Sequence, residues 1–244
     1  MPASSNFQQT IREAQLSVLV GPNVVNKALP YVGGGMTLTA FGTFIGLGLM
    51  ANSPTIFMPL FWLALIGNFV LFFVAQNAAL RADNTRALPL LSAYSAITGF
   101  SLSGIIAYAI GTVGISAVGT SALATGITFV IASFAGRRMS DSVGQALSGV
   151  VGLGLTGLLI TLLIQIVGSW FFPFFRLGSF ELMISGLGTI LFIGASFIDF
   201  YTMPRLYRDD QYLAGALGMY LTYVNLFVFI LRLIIALQGG DRRE

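Results

Sequence analysis

Long apolar runs separated by short polar segments make up most of the chain. Each run is about as long as the roughly 20 residues that a helix needs to cross the hydrocarbon core of a bilayer. Strands of a membrane β-barrel would instead alternate apolar and polar residues over about 10 positions. The pattern therefore predicts an all-α integral membrane protein, a seven-transmembrane-helix bundle with spans near 31–51, 56–80, 87–109, 114–135, 143–168, 179–202 and 212–237.

The regions outside these spans are short. Residues 1–29 are polar to mildly amphipathic and lack the apolar core and cleavage site of a signal peptide. Apolar residues recur there at helical spacing, at Phe7, Ile11, Ala14 and Val18. We expect an N-terminal arm over 1–29 with a short interfacial helix, one membrane domain over 30–238 and a short tail over 239–244.

Composition supports a membrane protein and excludes several kinds of chemistry. The chain is 56% hydrophobic and only 9% charged, whereas a soluble domain carries about 25% charged residues. It has no Cys and no His, which excludes disulfides, thiolate chemistry, His ligation of metals or haem, and a Ser-His triad. Lys27, the only lysine, precedes the first span and excludes a retinal protein with a buried Schiff base. We therefore expect no enzyme, no cofactor and no metal site.

Basic residues are distributed unevenly between the two sides of the predicted bundle. Of the 12, eight fall on the side of the N-terminus: Arg12, Lys27, Arg81, Arg86, Arg137, Arg138, Arg205 and Arg208. The other four are Arg176, Arg232, Arg242 and Arg243. The positive-inside rule predicts a cytoplasmic N-terminus and a C-terminus on the opposite side. We expect a bacterial inner membrane or an internal membrane, and no nucleic-acid partner, because the net charge of +3 lies in the loops.

Small residues recur at every fourth position in two spans. In the fifth span they are Gly144, Ser148, Gly152 and Thr156, and in the first Gly35, Thr39 and Thr43. Such rows let a neighbouring helix backbone approach closely. The pattern favours ordinary helix packing, and a gating or oligomer contact is the alternative.

Few ionisable residues lie at membrane depth, where each costs several kcal/mol and normally faces the interior. Asp199 lies near the cytoplasmic end of the sixth span and Arg81 at the same end of the second, so we expect them to pair across the bundle. Alternatively, Arg81 extends to the lipid headgroups as an anchor. Glu181 is expected to be structural, at a helix start where a carboxylate is favoured. Arg232 is expected to extend outward.

Uncharged polar residues within the spans are candidates for hydrogen bonds between helices. They are Asn68, Gln76, Gln165 and Asn225. Tyr220, Thr222 and Tyr223 line the cytoplasmic half of the seventh span and are placed to reach the region of Asp199.

Three segments resemble the Bax inhibitor-1 family of transmembrane proteins. SAYSAITGFSLSGII in the third span is similar to an aromatic-rich family segment, and ELMISGLGTILFIGASFIDFYT in the sixth to a segment ending in tyrosine-aspartate. ALGMYLTYVNLFVFILRLI in the seventh resembles the family signature ALxLYLDxINLFLxLLRLL. The resemblance covers roughly residues 25–237. It implies a seven-helix fold with the seventh helix central, and a calcium leak or the regulation of cell death and membrane stress as function.

The resemblance also implies a site. In bacterial members, aspartates on the sixth and seventh helices share a proton, and an arginine at the end of the second helix latches onto them. Asp199 matches the first aspartate and Arg81 the arginine, but Thr222 stands where the second aspartate is expected. Two like charges at close range cannot both ionise easily, and a hydroxyl supplies no such charge. The family's proton switch is therefore expected to be weakened here.

The sequence leaves three functional hypotheses. The first is a calcium or cation leak, or a membrane-stress regulator, with weakened pH gating around Asp199, Arg81, Thr222 and Asn225, and with Ca²⁺ only as a permeant ion. The second is a non-catalytic accessory or regulatory subunit of a larger membrane complex, with other membrane proteins as partners besides the bilayer. A small-solute transporter is the third, against which the absence of an inverted repeat of broken helices counts.

Overall fold

The computed structural model describes residues 19–171 and 178–239 as a bundle of seven long helices. They are α1 Val24–Asn52, α2 Pro54–Leu80, α3 Asn84–Thr112, α4 Ile115–Ala135, α5 Asp141–Phe171, α6 Gly178–Leu206 and α7 Tyr212–Gly239. A single 3₁₀ turn, Gly136–Arg138, follows α4. All seven helices are long and apolar enough to cross a membrane, and these two described segments contain no strand. The predicted all-α, seven-helix class is confirmed.

Six of the seven helices are longer than the apolar runs that predicted them, and α4 keeps nearly the predicted bounds. α1 begins at Val24, inside the predicted arm 1–29, and Pro30 lies within the helix rather than at its start. A proline within a helix removes one backbone hydrogen bond. Burial of Val24, Val25 and Ala28 stabilises the helical turns that precede it. The interfacial helix predicted at Phe7–Val18 and residues 240–244 of the tail lie outside the described residues.

Contacts among the helices are unequal. α7 contacts α1, α2, α3, α4 and α6, whereas α5 packs mainly on α6. α2 and α5 carry large apolar side chains on exposed faces: Trp62, Leu63 and Phe69 on α2 and Val150 and Leu153 on α5. An apolar outer surface of this kind is suited to contact with lipid chains rather than water.

α1 and α3 form the closest helix pair, and the small residues of α1 explain why. The Thr39 backbone lies where a Cβ on Gly99 would be, so only glycine fits at that position of α3. Thr43 Oγ1 donates to the Gly99 carbonyl at 2.9 Å, and Thr39 Oγ1 donates to the Ser95 carbonyl at 3.1 Å. The row Gly35, Thr39, Thr43 predicted from the sequence is thus a helix-packing surface.

One end of the bundle collects the N-terminal end of α1 and the α2–α3, α4–α5 and α6–α7 connections. Asp209, in the α6–α7 connection, accepts from the Asn23 backbone N–H at 2.9 Å. Gln211 Nε2 donates to the Leu80 carbonyl at 2.6 Å. Of the basic residues that the structure describes, all but Arg232 lie at this end, which we call the basic end. Its assignment to the cytoplasm remains a prediction.

Candidate functional site

Asp199 and Thr222 meet in the interior of the bundle, toward the basic end. α6 and α7 pack along much of their length, which brings the Thr222 hydroxyl against the Asp199 carboxyl group. Thr222 is only 8% exposed. Oδ2 of Asp199 is buried and has no hydrogen-bond partner among the described residues. Because a buried polar atom without a partner destabilises a fold, this carboxyl oxygen requires a functional explanation.

Tyr207 and Gln76 lie beside this pair. Burial raises the pKa of the Tyr207 phenol, contact with the Gln76 side chain lowers it, and the nearby charge of Asp199 raises it further. Tyr207 therefore contacts Gln76 and lies within electrostatic range of Asp199. Oε1 of Gln76 is also buried and has no partner within the described part of the chain. We call Asp199, Thr222, Gln76 and Tyr207 the Asp199 cluster.

Arg81 does not pair with Asp199, and that prediction is wrong. It caps the C-terminal end of α2 and is exposed. Its side chain lines an outward-facing crevice together with Asp83, Arg86 and apolar residues of α2 and α3. Within residues 19–171 and 178–239, no carboxylate lies within ion-pair distance of it. The exposed position of Arg81 at the end of α2 fits the alternative prediction, in which its side chain extends toward the lipid headgroups.

Another arginine near the site is also held elsewhere. Arg205, one turn and a half beyond Asp199 on α6, donates to Asp141 Oδ1 at 2.9 Å. Its guanidinium also lies over the Tyr201 ring, 4.0 Å from the ring centroid. The sequence did not predict this pair. The sequence held one clue to it. Asp141 and Arg205 carry opposite charges and lie at the same end of α5 and α6, two helices that pack together.

The other seventh-helix candidates make their polar and ring contacts with residues other than Asp199. Asn225 Nδ2 donates to the Leu221 carbonyl of its own helix at 2.9 Å, so it forms neither the predicted interhelical bond nor part of the cluster. Tyr220 is fully buried, and its hydroxyl lies 2.6 Å from Thr39 Oγ1 on α1. The Tyr223 ring packs edge-on against Phe129, with ring centroids 5.3 Å apart.

The small-residue row of α5 is only partly used within the bundle. Gly144 is buried against the Tyr201 ring of α6, where a larger residue would collide with the ring. Ser148 is half-buried and donates to the Gly144 carbonyl at 2.7 Å. Gly152 and Thr156 are exposed on the outer face of the bundle. Helix packing therefore accounts for the first half of the row and not for the second.

At the opposite end of the bundle, Arg232 and Glu181 form a two-pronged ion pair. Nε lies 2.7 Å from Oε1 and Nη2 lies 2.9 Å from Oε2. Gln165 Nε2 approaches Oε2 at 3.4 Å. The expectation that Arg232 extends outward is wrong, because Glu181 on the neighbouring helix offers a carboxylate at the same depth. The predicted interhelical bonds are present for Gln165 and for Asn68, whose Nδ2 lies 3.3 Å from Ser101 Oγ.

A cavity of about 420 Å³ lies between α1, α3, α4 and α7, in the half of the bundle away from the basic end. Its lining is mostly apolar, with Thr39, Thr43 and Tyr223 as its polar members. Tyr223 follows Thr222 on α7 and is the α7 lining residue nearest the basic end. The cavity and the Asp199 cluster are thus neighbours along the axis of α7.

Comparison with known proteins places this arrangement in a family. The family model described as "Inhibitor of apoptosis-promoting Bax1" matches residues 21–239, which include all seven helices. The chain belongs to the Bax inhibitor-1 family. An uncharacterized membrane protein of Streptococcus pyogenes serotype M1 is 30% identical over 224 residues, which cover 85% of this chain and 90% of that protein.

Other relatives agree with the assignment to the Bax inhibitor-1 family. The uncharacterized protein YrjE of Lactococcus lactis is 25% identical over 229 residues, or 89% of this chain and 92% of the relative. Bax inhibitor 1 of Schizosaccharomyces pombe is 31% identical over 61 residues, or 25% of this chain and 23% of that protein.

Thr222 stands where the seventh-helix signature that this chain resembles has an aspartate. Its hydroxyl lies against the Asp199 carboxyl group. The described residues contain no group of three or more acidic side chains that could hold a metal ion. The Asp199 cluster therefore combines one carboxyl group with neutral oxygens.

Proposed function

We propose that this Bax inhibitor-1 family protein is a cation leak pathway whose narrowest part is the Asp199 cluster. The observation that carries the proposal is the buried, unpartnered Oδ2 of Asp199. An ionisable group inside a membrane bundle is costly and typically marks a route for ions or protons. With no basic side chain as partner in the described residues, its charge is available to a passing cation.

The proposed route enters from the apolar cavity and passes Tyr223 to reach Asp199. The Thr39 and Thr43 hydroxyls and the Tyr223 phenol offer oxygens along the cavity wall. Beyond Asp199, the α6–α7 connection covers the basic end and is held there by bonds from Asn23 and to Leu80. We propose that the described conformation is closed, and that movement of this connection opens it.

We also propose that pH gating is weaker here than in relatives with two aspartates. A proton shared between two carboxylates is released and taken up as the pair titrates, which gives a switch near neutral pH. Thr222 cannot share a proton with Asp199 in this way, and the exposed Arg81 makes no ion pair with Asp199 that would let it act as a latch.

Flux measurements on reconstituted protein test the proposal. Liposomes containing the full chain, loaded with a calcium- or sodium-sensitive dye, are expected to leak faster than protein-free liposomes, with little change from pH 6 to 8. Asp199→Ala is expected to change the flux. Asp210→Ala is the control, because Asp210 is exposed and pairs only with Arg208 of the same connection. Flux equal to that of empty liposomes for every variant would refute the leak.

A second candidate function is that of an accessory subunit in a larger membrane complex. The exposed Gly152 and Thr156 on α5 support it, because small residues on an outer face permit close approach of a foreign helix. Extraction in a gentle detergent followed by native electrophoresis tests this function. We expect the unaltered chain to migrate as a larger species, and the Gly152→Leu variant to lose that species. A monomer under all conditions would argue against it.

A further inference from the structure

Two buried acceptor oxygens in the Asp199 cluster are unpartnered, although the Thr222 and Tyr207 hydroxyls lie in the same cluster. Oδ2 of Asp199 and Oε1 of Gln76 are both sealed from solvent, and neither has a hydrogen-bond partner among the described residues. Native proteins rarely leave such atoms unsatisfied unless an ion, a water or a proton serves them. Two such oxygens in one cluster favour a positively polarised partner that serves both of them, such as a metal cation or a proton on the carboxyl group.

Among the described residues, no arginine or lysine forms an ion pair with Asp199. Arg81 is exposed in its outer crevice, and Arg205 is engaged with Asp141 and the Tyr201 ring. The other groups close to Asp199 are the hydroxyls of Thr222 and Tyr207, and each offers oxygen lone pairs besides its O–H donor. Carboxylate, amide and hydroxyl oxygens are the ligands that hard cations prefer, and the soft transition metals prefer others.

The charge of the cluster selects among the hard cations. One ionised carboxylate balances one positive charge, so a monovalent ion in the cluster leaves no net charge in the interior. Ca²⁺ would leave an uncompensated charge in a medium of low dielectric constant, which is strongly unfavourable. Protein sites for Ca²⁺ usually provide several carboxylate oxygens among six to eight ligands, and Thr222 removes the second carboxylate.

We infer that Asp199, Thr222 and Gln76 form a binding site for a monovalent metal cation, with Na⁺ as the ion that fits hard oxygen ligands. The Asp199 carboxylate balances the charge, and the Thr222 hydroxyl and the Gln76 carbonyl oxygen complete one side of the ligand shell. The inference deepens the proposed leak by naming its ion and rests on that proposal for transport. Binding itself is measurable without flux.

Thermal unfolding of the purified full chain in detergent tests the site. The melting temperature is compared in NaCl, CaCl₂ and N-methyl-D-glucamine chloride at one ionic strength and at pH 8. A ligand that binds only the folded state raises the melting temperature in a saturable manner. We expect this rise with Na⁺, its loss in Asp199→Asn, and its retention in the exposed control Asp210→Asn.

Two further variants keep the test informative if Asp199→Asn does not fold. Thr222→Val keeps the carboxylate but removes a neutral ligand, and it is expected to weaken the apparent Na⁺ affinity by about tenfold, the change that a lost charge-assisted contact produces. Thr222→Asp adds a second carboxylate and is expected to shift the preference from Na⁺ to Ca²⁺.

The outcomes separate the site from the leak. Equal melting temperatures in Na⁺ and N-methyl-D-glucamine, or a larger rise with Ca²⁺ than with Na⁺ in the unaltered chain, would overturn the monovalent site. A saturable Na⁺ effect that depends on Asp199, in a protein whose liposomes show no flux, would support the site and refute the leak.

Discussion

The Thr39 hydroxyl on α1 and the Tyr220 hydroxyl on α7 lie 2.6 Å apart in the buried centre of the bundle. Thr39 Oγ1 also approaches the Ser95 carbonyl of α3, at 3.1 Å. Tyr94, on α3, packs edge-on against the Tyr220 ring, with centroids 5.7 Å apart. This polar contact therefore joins three helices at one point and fixes the rotation of α7, and with it the direction in which Thr222 faces.

Removal of the Tyr220 hydroxyl is expected to destabilise this junction. Tyr220→Phe keeps the ring but leaves Thr39 without that partner, which typically costs about 1 kcal/mol for a buried neutral hydrogen bond. Thermal unfolding in detergent should show a lower melting temperature. Tyr108→Phe is the matched control, because Tyr108 is 54% exposed on α3 and is expected to change nothing. Equal effects of the two substitutions would contradict the junction.

The α1–α3 contact is expected to reject any side chain at Gly99. In Gly99→Ala the new Cβ would collide with the Thr39 backbone, and because the obstacle is backbone, the two helices must separate. Overpacking of this kind costs about 1–3 kcal/mol. Gly111→Ala, on the same helix but in open space, serves as the comparison. A melting temperature of Gly99→Ala as high as that of Gly111→Ala would show that the contact is looser than described.

The ion pair between Glu181 and Arg232 is expected to matter as a pair. Arg232→Gln leaves Glu181 without its cation in a partly buried site. The Glu181 side chain is 31% exposed and the Arg232 side chain 21%. We expect a loss of about 1–3 kcal/mol, less than for a fully buried pair. Glu181→Gln combined with Arg232→Gln should recover part of that loss. A double-mutant cycle of unfolding free energies measures the coupling, and additive effects would show that none exists.

Loosening the cover over the basic end is expected to increase the proposed leak. Asp209→Ala removes the acceptor for the Asn23 backbone and side chain and the partner of Lys27. Cation flux in liposomes should rise, because the α6–α7 connection is then less firmly held over Asp199. Asp210→Ala, one residue away, should leave flux unchanged, since its carboxylate pairs within the connection. Unchanged flux in Asp209→Ala would mean that the connection is not the gate.

Arg81 is expected to be dispensable for the Asp199 cluster. Because it is exposed and faces an outer crevice, Arg81→Gln should keep the Na⁺-dependent rise in melting temperature and the pH profile of flux. If Arg81 instead acted as a latch on Asp199, its removal would alter both the Na⁺-dependent rise in melting temperature and the pH profile of flux. The two measurements therefore decide between the anchor that the structure describes and the pair that the family resemblance implies.

The sequence alone determined the class of the protein, the seven spans and the short set of polar residues at depth. Hydropathy acts along one dimension, the membrane normal, and a run of about 20 apolar residues has few alternatives in a bilayer. The row Gly35, Thr39, Thr43 was also readable, because its spacing of four defines a helix face whatever the neighbour. The seventh-helix signature likewise exposed Thr222 in place of an aspartate.

Only the tertiary structure decided which of these residues meet. Asp199 and Arg81 lie at the same end of the bundle, and depth alone made them plausible partners. Their separation follows from the rotation of α2 about its axis, which depends on packing against α3 and α7 rather than on hydropathy. The same reason explains why Arg232 turns to Glu181 and why Asn225 bonds to its own helix. Depth is encoded locally, whereas the direction that a side chain faces is set by the neighbouring helices.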